Sequence, residues 1–219
     1  YLENGASVTA TNAREIYIEI NATGTTSNGT WTFRFIPVSL GATSGRVDMW
    51  RFFNSTGFTG NFSLGAANTQ MLISEPGNAV QLVTTAAWTS KVNWVACTGV
   101  LSAFGGTPPI GNLATFSSMG PTRDGRPKPD IAAPGIAVAS TKSLDYVNNC
   151  PASGPSAIIG DGPNHIVNAG TSMAAPHTTG ALAILMQKFG GITPAFAKTY
   201  LTANAVVDGF TGAVPNNDW

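Results

Sequence analysis

Ser172 stands between Gly170-Thr171 and the small residues Ala174 and Ala175, in the string GTSMAAPH that runs from Gly170 to His177. A strand-like run, His165 to Ala169, leads into this turn, and a continuous small-apolar stretch leaves it. A serine at a strand-to-helix turn has its hydroxyl free of the sheet and near the positive end of the helix. The backbone N–H groups of a first helical turn have no intrahelical acceptor, so they can receive developing negative charge. Nucleophile and donors together are what acyl transfer through an oxyanion requires. Pro176 falls early enough in the predicted helix to cost it little hydrogen bonding.

A serine hydroxyl is a poor nucleophile until a base takes its proton, and the base must itself be oriented by a third group. The chain has two histidines. His177 lies about 140° around the helix from Ser172 and points away from it. His165 is upstream on the incoming strand, with ordinary neighbours in Asn164 and Ile166. Among the acidic groups, Asp124-Gly125, Asp161-Gly162 and Asp208-Gly209 read as turn dipeptides. Ser172 therefore has a nucleophile's setting and no evident activating pair.

Three further segments bear on Ser172. Phe116 to Pro121 reads FSSMGP, Lys128 to Gly135 reads KPDIAAPG, and Pro215 to Trp219 reads PNNDW. With GTSMAAPH these resemble, in the same order, the later segments of the subtilisin-like serine proteases (the subtilases, peptidase S8). Ile73 to Trp88, ISEPGNAVQLVTTAAW, resembles a weaker version of that family's strand-and-turn stretch. The resemblance covers about residues 70 to 219 and implies a serine endopeptidase acting on polypeptide substrates through an acyl-enzyme. It makes Ser172 the catalytic nucleophile, with its own N–H as one oxyanion donor, and Gly170 and Thr171 the substrate-binding lining of the cleft. It also makes His177 structural and Asp130 a structural carboxylate. Ala169 stands where some subtilases place Asn, and no chemistry is assigned to it. The family's Asp motif, its His motif and its oxyanion Asn have no counterpart in this chain. Asn78, in Pro76-Gly77-Asn78, sits in the wrong segment to replace that Asn. The expectation is a C-terminal part of a catalytic domain whose missing N-terminal half would carry those three groups, and a chain inactive alone. The lack of an initiator Met and the end at Trp219 enter that expectation as signs of truncation.

The elements that must position Ser172 are legible in outline. Short apolar segments, Val80 to Val83, Val92 to Ala96, Ile131 to Ala133 and Ile136 to Ala139, read as buried strands of a mostly parallel sheet covered on both faces. A helix is predicted from Ser172 to Phe189, stopped by Gly190-Gly191, with Lys188 in its last turn. A second begins with Thr193 as N-cap and Pro194 in the first position and runs to about Ala203. The fold class expected is α/β, the C-terminal part of a subtilisin-like mostly parallel sheet flanked by helices.

Residues 1–68 have another texture. Ile16, Ile18 and Ile20 alternate with Glu15, Tyr17 and Glu19, which places the isoleucines on one sheet face. Trp31, Phe33 and Phe35 repeat the pattern, as do Val47, Met49 and Phe53. Turn formers separate these runs, so an antiparallel sandwich-like insert is expected over 1–68, ahead of a catalytic part over 69–219. N-x-S/T sequons begin at Asn21, Asn28, Asn54 and Asn61, open to glycosylation in a secretory setting or to a chance reading in a Thr/Asn-rich surface.

Composition limits the function classes. Of 219 residues 43% are hydrophobic, and Lys plus Arg balance Asp plus Glu at 11 each. No basic excess is available for a phosphate backbone, so nucleic-acid binding is disfavoured. The longest apolar run, Ala181 to Met186, is too short to span a bilayer, and no membrane partner is expected. Low charge with abundant Thr, Asn and Gly suits a secreted, extracellular protein. Cys97 and Cys150 form one disulfide or remain two buried thiols, and the sequence does not choose. No cofactor or metal is expected. Calcium, which subtilases often bind, has no carboxylate-rich loop here. The alternative to a protease is a secreted binding or adhesion protein on a protease-derived scaffold, with Trp31, Trp50, Phe52 and Phe53 as a sugar platform. Motifs in the upstream reading frame separate the two.

Overall fold

The alternation around Ile16 and Ile18 becomes a strand, β2 (Arg14–Ile18), paired antiparallel with β1 (Leu2–Ala6), Leu2 facing Ile18 and Ala6 facing Arg14. The computed structural model describes residues 2–6, 14–18, 32, 48–50, 69–146, 149–160 and 164–219. Ile20, Trp31, Phe33, Phe35, Val47, Phe52, Phe53 and the four sequons lie outside the described residues. Asp48, Met49 and Trp50 are described and belong to neither strand nor helix. The chain divides into two compact units, Tyr1–Ala67 and Asn68–Trp219.

In the second unit β3 (Thr85–Thr89) pairs in parallel with β6 (Ile131–Ile136). Between them in sequence, β4 (Trp94–Val95) and β5 (Leu101–Ser102) form a short hairpin. β7 (Val138–Thr141) and β8 (His165–Asn168) pair antiparallel, Val138 facing Asn168 and Thr141 facing His165. Helix α1 (Thr171–Phe189) follows β8 and packs on β6 and β3. Parallel strands with a helix laid across them make this an α/β unit. Helix α2 (Pro194–Ala203) closes the order of elements.

The core is built mainly from small residues: Ala87, Ala114, Ala133, Ile136, Ala137, Val167 and Ala174, with Trp94, Phe104, Ile159 and Ala169 packed against them. Alanines on β3, β6 and α1 let the three elements approach closely, where larger side chains would hold them apart. This explains one departure from the sequence reading. Val80 to Val83 is not a buried strand; Val80 and Leu82 are 66% and 44% exposed in a turn. The strand lies just beyond, where Ala86 and Ala87 supply the small surface that α1 needs.

Both helices end as their sequences dictate. Gly190 adopts φ 75° and donates its N–H to Met186 O at 2.9 Å, stopping α1 in a conformation that favours glycine. The Thr193 hydroxyl accepts the Phe196 N–H at 3.2 Å, and Pro194 occupies the first turn of α2. Phe189 then meets Phe196 and Tyr200, with ring centroids 5.5 and 5.3 Å apart, tying the end of α1 to α2.

The question left open about the cysteines has an answer: Cys97 and Cys150 form a disulfide, with their Cα atoms 6.0 Å apart. It fastens the loop after β7 to the β4–β5 hairpin. Hydrogen bonds continue the seam, from Trp94 Nε1 to Ser156 O at 2.8 Å and from Thr98 Oγ1 to Gly154 O at 2.7 Å. Among the described residues no helix is long and apolar enough to cross a membrane.

Candidate active site at the start of α1

Gly170 makes the turn that presents Ser172. Its φ of 150° and ψ of 161° lie in a region open essentially to glycine alone. Its N–H donates to Gly135 O at 2.8 Å, fixing the turn to β6, and its carbonyl accepts the Met173 N–H at 3.0 Å. No side chain caps the helix, and no acidic residue sits in its first turn. Among the described residues neither the N–H nor the hydroxyl of Ser172 has a hydrogen-bond partner, and the residue is exposed. Nothing local among the described residues thus neutralises the positive end of the α1 dipole, which lies beside the exposed Ser172 hydroxyl. That arrangement can stabilise an oxyanion forming at Ser172.

The predicted site residues are brought together as neighbours in one turn: Gly170 half-buried, Thr171 and Ser172 exposed. Ala169 donates its N–H to Asn168 Oδ1 at 2.9 Å. The two histidines are placed elsewhere. His177 Nδ1 donates to Met173 O at 2.8 Å, so its ring is held against its own helix. His165 begins β8 opposite Thr141, about 10 Å along the strand from Asn168.

The carboxylates flagged by sequence serve the fold. Asp130 Oδ2 accepts the Thr84 N–H at 2.7 Å and lies 2.5 Å from Lys128 Nζ, while Oδ1 lies 3.2 Å from Lys198 Nζ. Burial holds the Lys128 ammonium below the usual lysine range, against the pull of Asp130 beside it. Asp124 accepts from Arg126 Nε at 2.8 Å and from the Thr122 hydroxyl, and those bonds hold its carboxyl below the usual carboxylate range. Asp208 Oδ1 accepts the N–H groups of Phe210 and Thr211 in its own turn. Asp161 lies outside the described residues. Asn78 occupies the turn after Pro76, its N–H on Ser74 O at 3.3 Å.

Two cavities, of about 380 and 290 Å³, open beside the β4–β5 hairpin and beside the 149–158 loop, and neither is lined by Ser172. Among the described residues no three His, Cys, Asp or Glu side chains gather as a metal site would require.

The sequence profile described as the Subtilase family matches residues 59–217, which take in all three inner segments and the Ser172 turn. The chain belongs to the subtilase family. Among curated proteins it is 37% identical over 90 residues to the serine protease AprX of Bacillus subtilis, a match covering 41% of this chain and 19% of AprX. It is 29% identical over 171 residues to an uncharacterized protein of Aquifex aeolicus, covering 78% of this chain and 71% of that one. Among solved structures it matches fervidolysin from Fervidobacterium pennivorans, a keratinolytic enzyme related to subtilisin, at 28% identity and a TM-score of 0.43, covering 66% of this chain. This subtilase chain therefore spans 71% of the Aquifex protein but only 19% of AprX and 18% of fervidolysin.

What sequence reasoning missed are the residues that set the subtilase turn from below. Gly135 holds Gly170, and Ala87 packs under Gly135 with its N–H on the Ser117 hydroxyl at 3.1 Å. FSSMGP and KPDIAAPG were visible as strings; that one member of each converges on Ala87 was not.

Proposed function

We propose that Ser172 is the nucleophile of a peptide-bond hydrolase. The observation that carries this is an exposed serine hydroxyl at an uncapped, acid-free helix N-terminus in a chain of the subtilase family. Ser172 Oγ adds to the scissile carbonyl carbon, its proton passes through a base to the leaving amine, and the C–N bond breaks to leave a serine ester. Water then opens the ester by the reverse proton path. The Ser172 N–H is one oxyanion donor, and Gly170 and Thr171 line the cleft beside the scissile bond.

The base, its orienting carboxylate and the walls of the main side-chain pocket come, in this reading, from polypeptide beyond these 219 residues. Three things support it: the His177 ring is engaged by Met173 O, His165 begins β8 at the far end from the turn, and neither of the two cavities beside the hairpin and the 149–158 loop is lined by Ser172. A fourth is the character of α1, an almost uncharged helix that nevertheless leaves Ile184 66% and Met186 56% exposed. Large apolar side chains left in solvent on one helix are a surface that a partner could cover. Residues 69–219 are then the C-terminal part of the catalytic domain, and residues 1–68 a β-rich module inserted ahead of it. The division of the chain at Ala67 and Asn68 supports that partition. The disulfide supports an oxidising, extracellular location, and membership of the subtilase family supports polypeptide substrates.

A fluorophosphonate probe tests the reading on the full chain. Slow labelling is expected, confined to Ser172 and abolished by Ser172→Ala. Labelling as fast as that of an intact subtilase would show that the chain holds its own base and would sink the reading.

A further inference from the structure

Gly135 and Gly170 touch, and each is glycine for a different reason. Gly170 needs its backbone conformation; a Cβ there would have room, its nearest neighbour 3.6 Å away. Gly135 needs space. Its φ lies outside the positive region, but a Cβ would sit 2.4 Å from Ala87 Cβ, 3.1 Å from Ala87 Cα and 3.1 Å from Gly170 O.

The β3–β6 ladder explains why Gly135 lies so close. Trp88 faces Pro134 and Thr89 faces Ile136, so Gly135 is passed over as a bulge. Pro134 has no N–H to continue the ladder, and a bulge bends the strand that carries it. The Gly135 carbonyl is used instead by Gly170 N–H at 2.8 Å, and the Gly170 carbonyl takes the Met173 N–H at 3.0 Å. One run of contacts thus leads from the bulge to the first turn of α1.

Ala87, on the other side, is held fast. It is fully buried, its N–H is on Ser117 Oγ and its carbonyl takes the Ala114 N–H at 2.8 Å. A side chain at position 135 would therefore push toward the half-buried Gly170 turn, where the space is. We propose that Gly135 is a positioning residue for Ser172, acting through Gly170. The inference rests on the reading of Ser172 as nucleophile.

The test is made on the full chain with Gly135→Ala, Ala87→Gly and the pair together. Ala87→Gly removes the 2.4 Å contact and leaves the two at 3.1 Å, one with the backbone of position 87 and one with Gly170 O. The readouts are thermal midpoint, hydrogen exchange of the Gly170 and Met173 amides, and fluorophosphonate labelling of Ser172. Gly135→Ala should lower the midpoint, speed the exchange and slow the labelling. In the double variant the midpoint should return most of the way to that of Ala87→Gly, while labelling and Met173 protection stay reduced about tenfold or more, as misplaced reacting groups demand. Recovery of exchange and labelling in step with the midpoint would make Gly135 a packing residue only and overturn the proposal. Labelling that survives Ser172→Ala, with the exchange split intact, would overturn the nucleophile reading and leave the hold of Gly135 on the turn standing.

Discussion

Lys128 and Asp130, two residues apart at the entry to β6, point their charged ends at one another, Nζ 2.5 Å from Oδ2, with Lys128 almost wholly buried at 2% exposure. The ammonium also donates to Leu82 O at 2.7 Å and Thr84 Oγ1 at 2.9 Å. The Thr84 hydroxyl in turn donates to Gly77 O. The pair therefore ties the turn before β3 to the start of β6 and sets the parallel register from one end.

The two halves of the pair are not equivalent. Removing Asp130 leaves a buried cation with neutral partners only, whereas removing Lys128 leaves Asp130 with Lys198 and the Thr84 N–H. Asp130→Asn should cost about 3 kcal/mol or more, and Lys128→Met clearly less. The sign of the pH dependence follows from the lowered Lys128 value. Between the folded value and the ordinary 10.5, the unfolded chain binds more protons, so this group's contribution makes stability rise with pH across that window. The penalty of Asp130→Asn should shrink below that window, as pH rises toward the folded Lys128 value and the ammonium discharges, and be lost above it. Urea titrations at neutral and alkaline pH check both statements, and an equal cost for the two substitutions would contradict them.

Thr89 is fully buried, and its hydroxyl has no hydrogen-bond partner among the described residues. Its backbone is satisfied, N–H to Asn112 O and carbonyl from Gly111 N–H, both at 2.9 Å. Only the desolvated hydroxyl weighs against folding. Thr89→Val keeps the branched shape and should raise stability by about 1 kcal/mol. A loss of stability on this substitution would reveal a partner for the hydroxyl.

Both helices were legible in the sequence because their boundaries are written locally: Gly190-Gly191 stops one, Thr193-Pro194 starts the other. The turn that carries Ser172 into α1 was legible for the same reason, lying wholly within one octapeptide. β3 was misplaced because its burial rests on Ala86 and Ala87, and alanine is weak evidence of a core until the helix that packs on it is known. The bulge at Gly135 was illegible for a related reason. The APG string permits a bulge, but only the pairing of Trp88 with Pro134 and of Thr89 with Ile136 creates one. Asp130 read correctly as structural in kind, while its two lysine partners, one of them on α2, arrive through the fold.

Thr178 on α1 and Thr85 on β3 share a hydrogen bond, Oγ1 to Oγ1 at 3.0 Å, with Thr178 buried. It is a polar contact in an otherwise apolar helix–sheet seam and fixes the rotation of α1 against β3. Thr178→Val and Thr85→Val should each cost about 1 kcal/mol by stranding the other hydroxyl. The double variant should cost less than the sum, since it strands neither. A double-mutant cycle by urea unfolding measures the coupling, expected at about 0.5 kcal/mol or more. Strict additivity would mean that the two hydroxyls do not depend on each other.

The disulfide closes a long loop, Cys97 and Cys150 being separated by 53 positions. Chain entropy alone assigns such a closure about 4 kcal/mol. The seam beside it distributes the loss unevenly. Residues 154–160 keep their hydrogen bonds to the hairpin, from Cys97 N–H to Ile158 O at 2.8 Å and from Gly160 N–H to Val95 O at 3.1 Å. The Lys142 N–H is on Asn164 O at 2.7 Å, and beyond it the bonds from Lys142 Nζ to Ser143 O and Tyr146 O are local. Cys97→Ala/Cys150→Ala should therefore lower global stability by about 2 to 4 kcal/mol, with protease sensitivity appearing first between Lys142 and Gly154. The β7–β8 pair flanks that loop on both sides, so its amides should lose protection only with global unfolding. Early cleavage within β8 instead would mean that the disulfide holds the strand leading to Ser172 and not merely the loop before it.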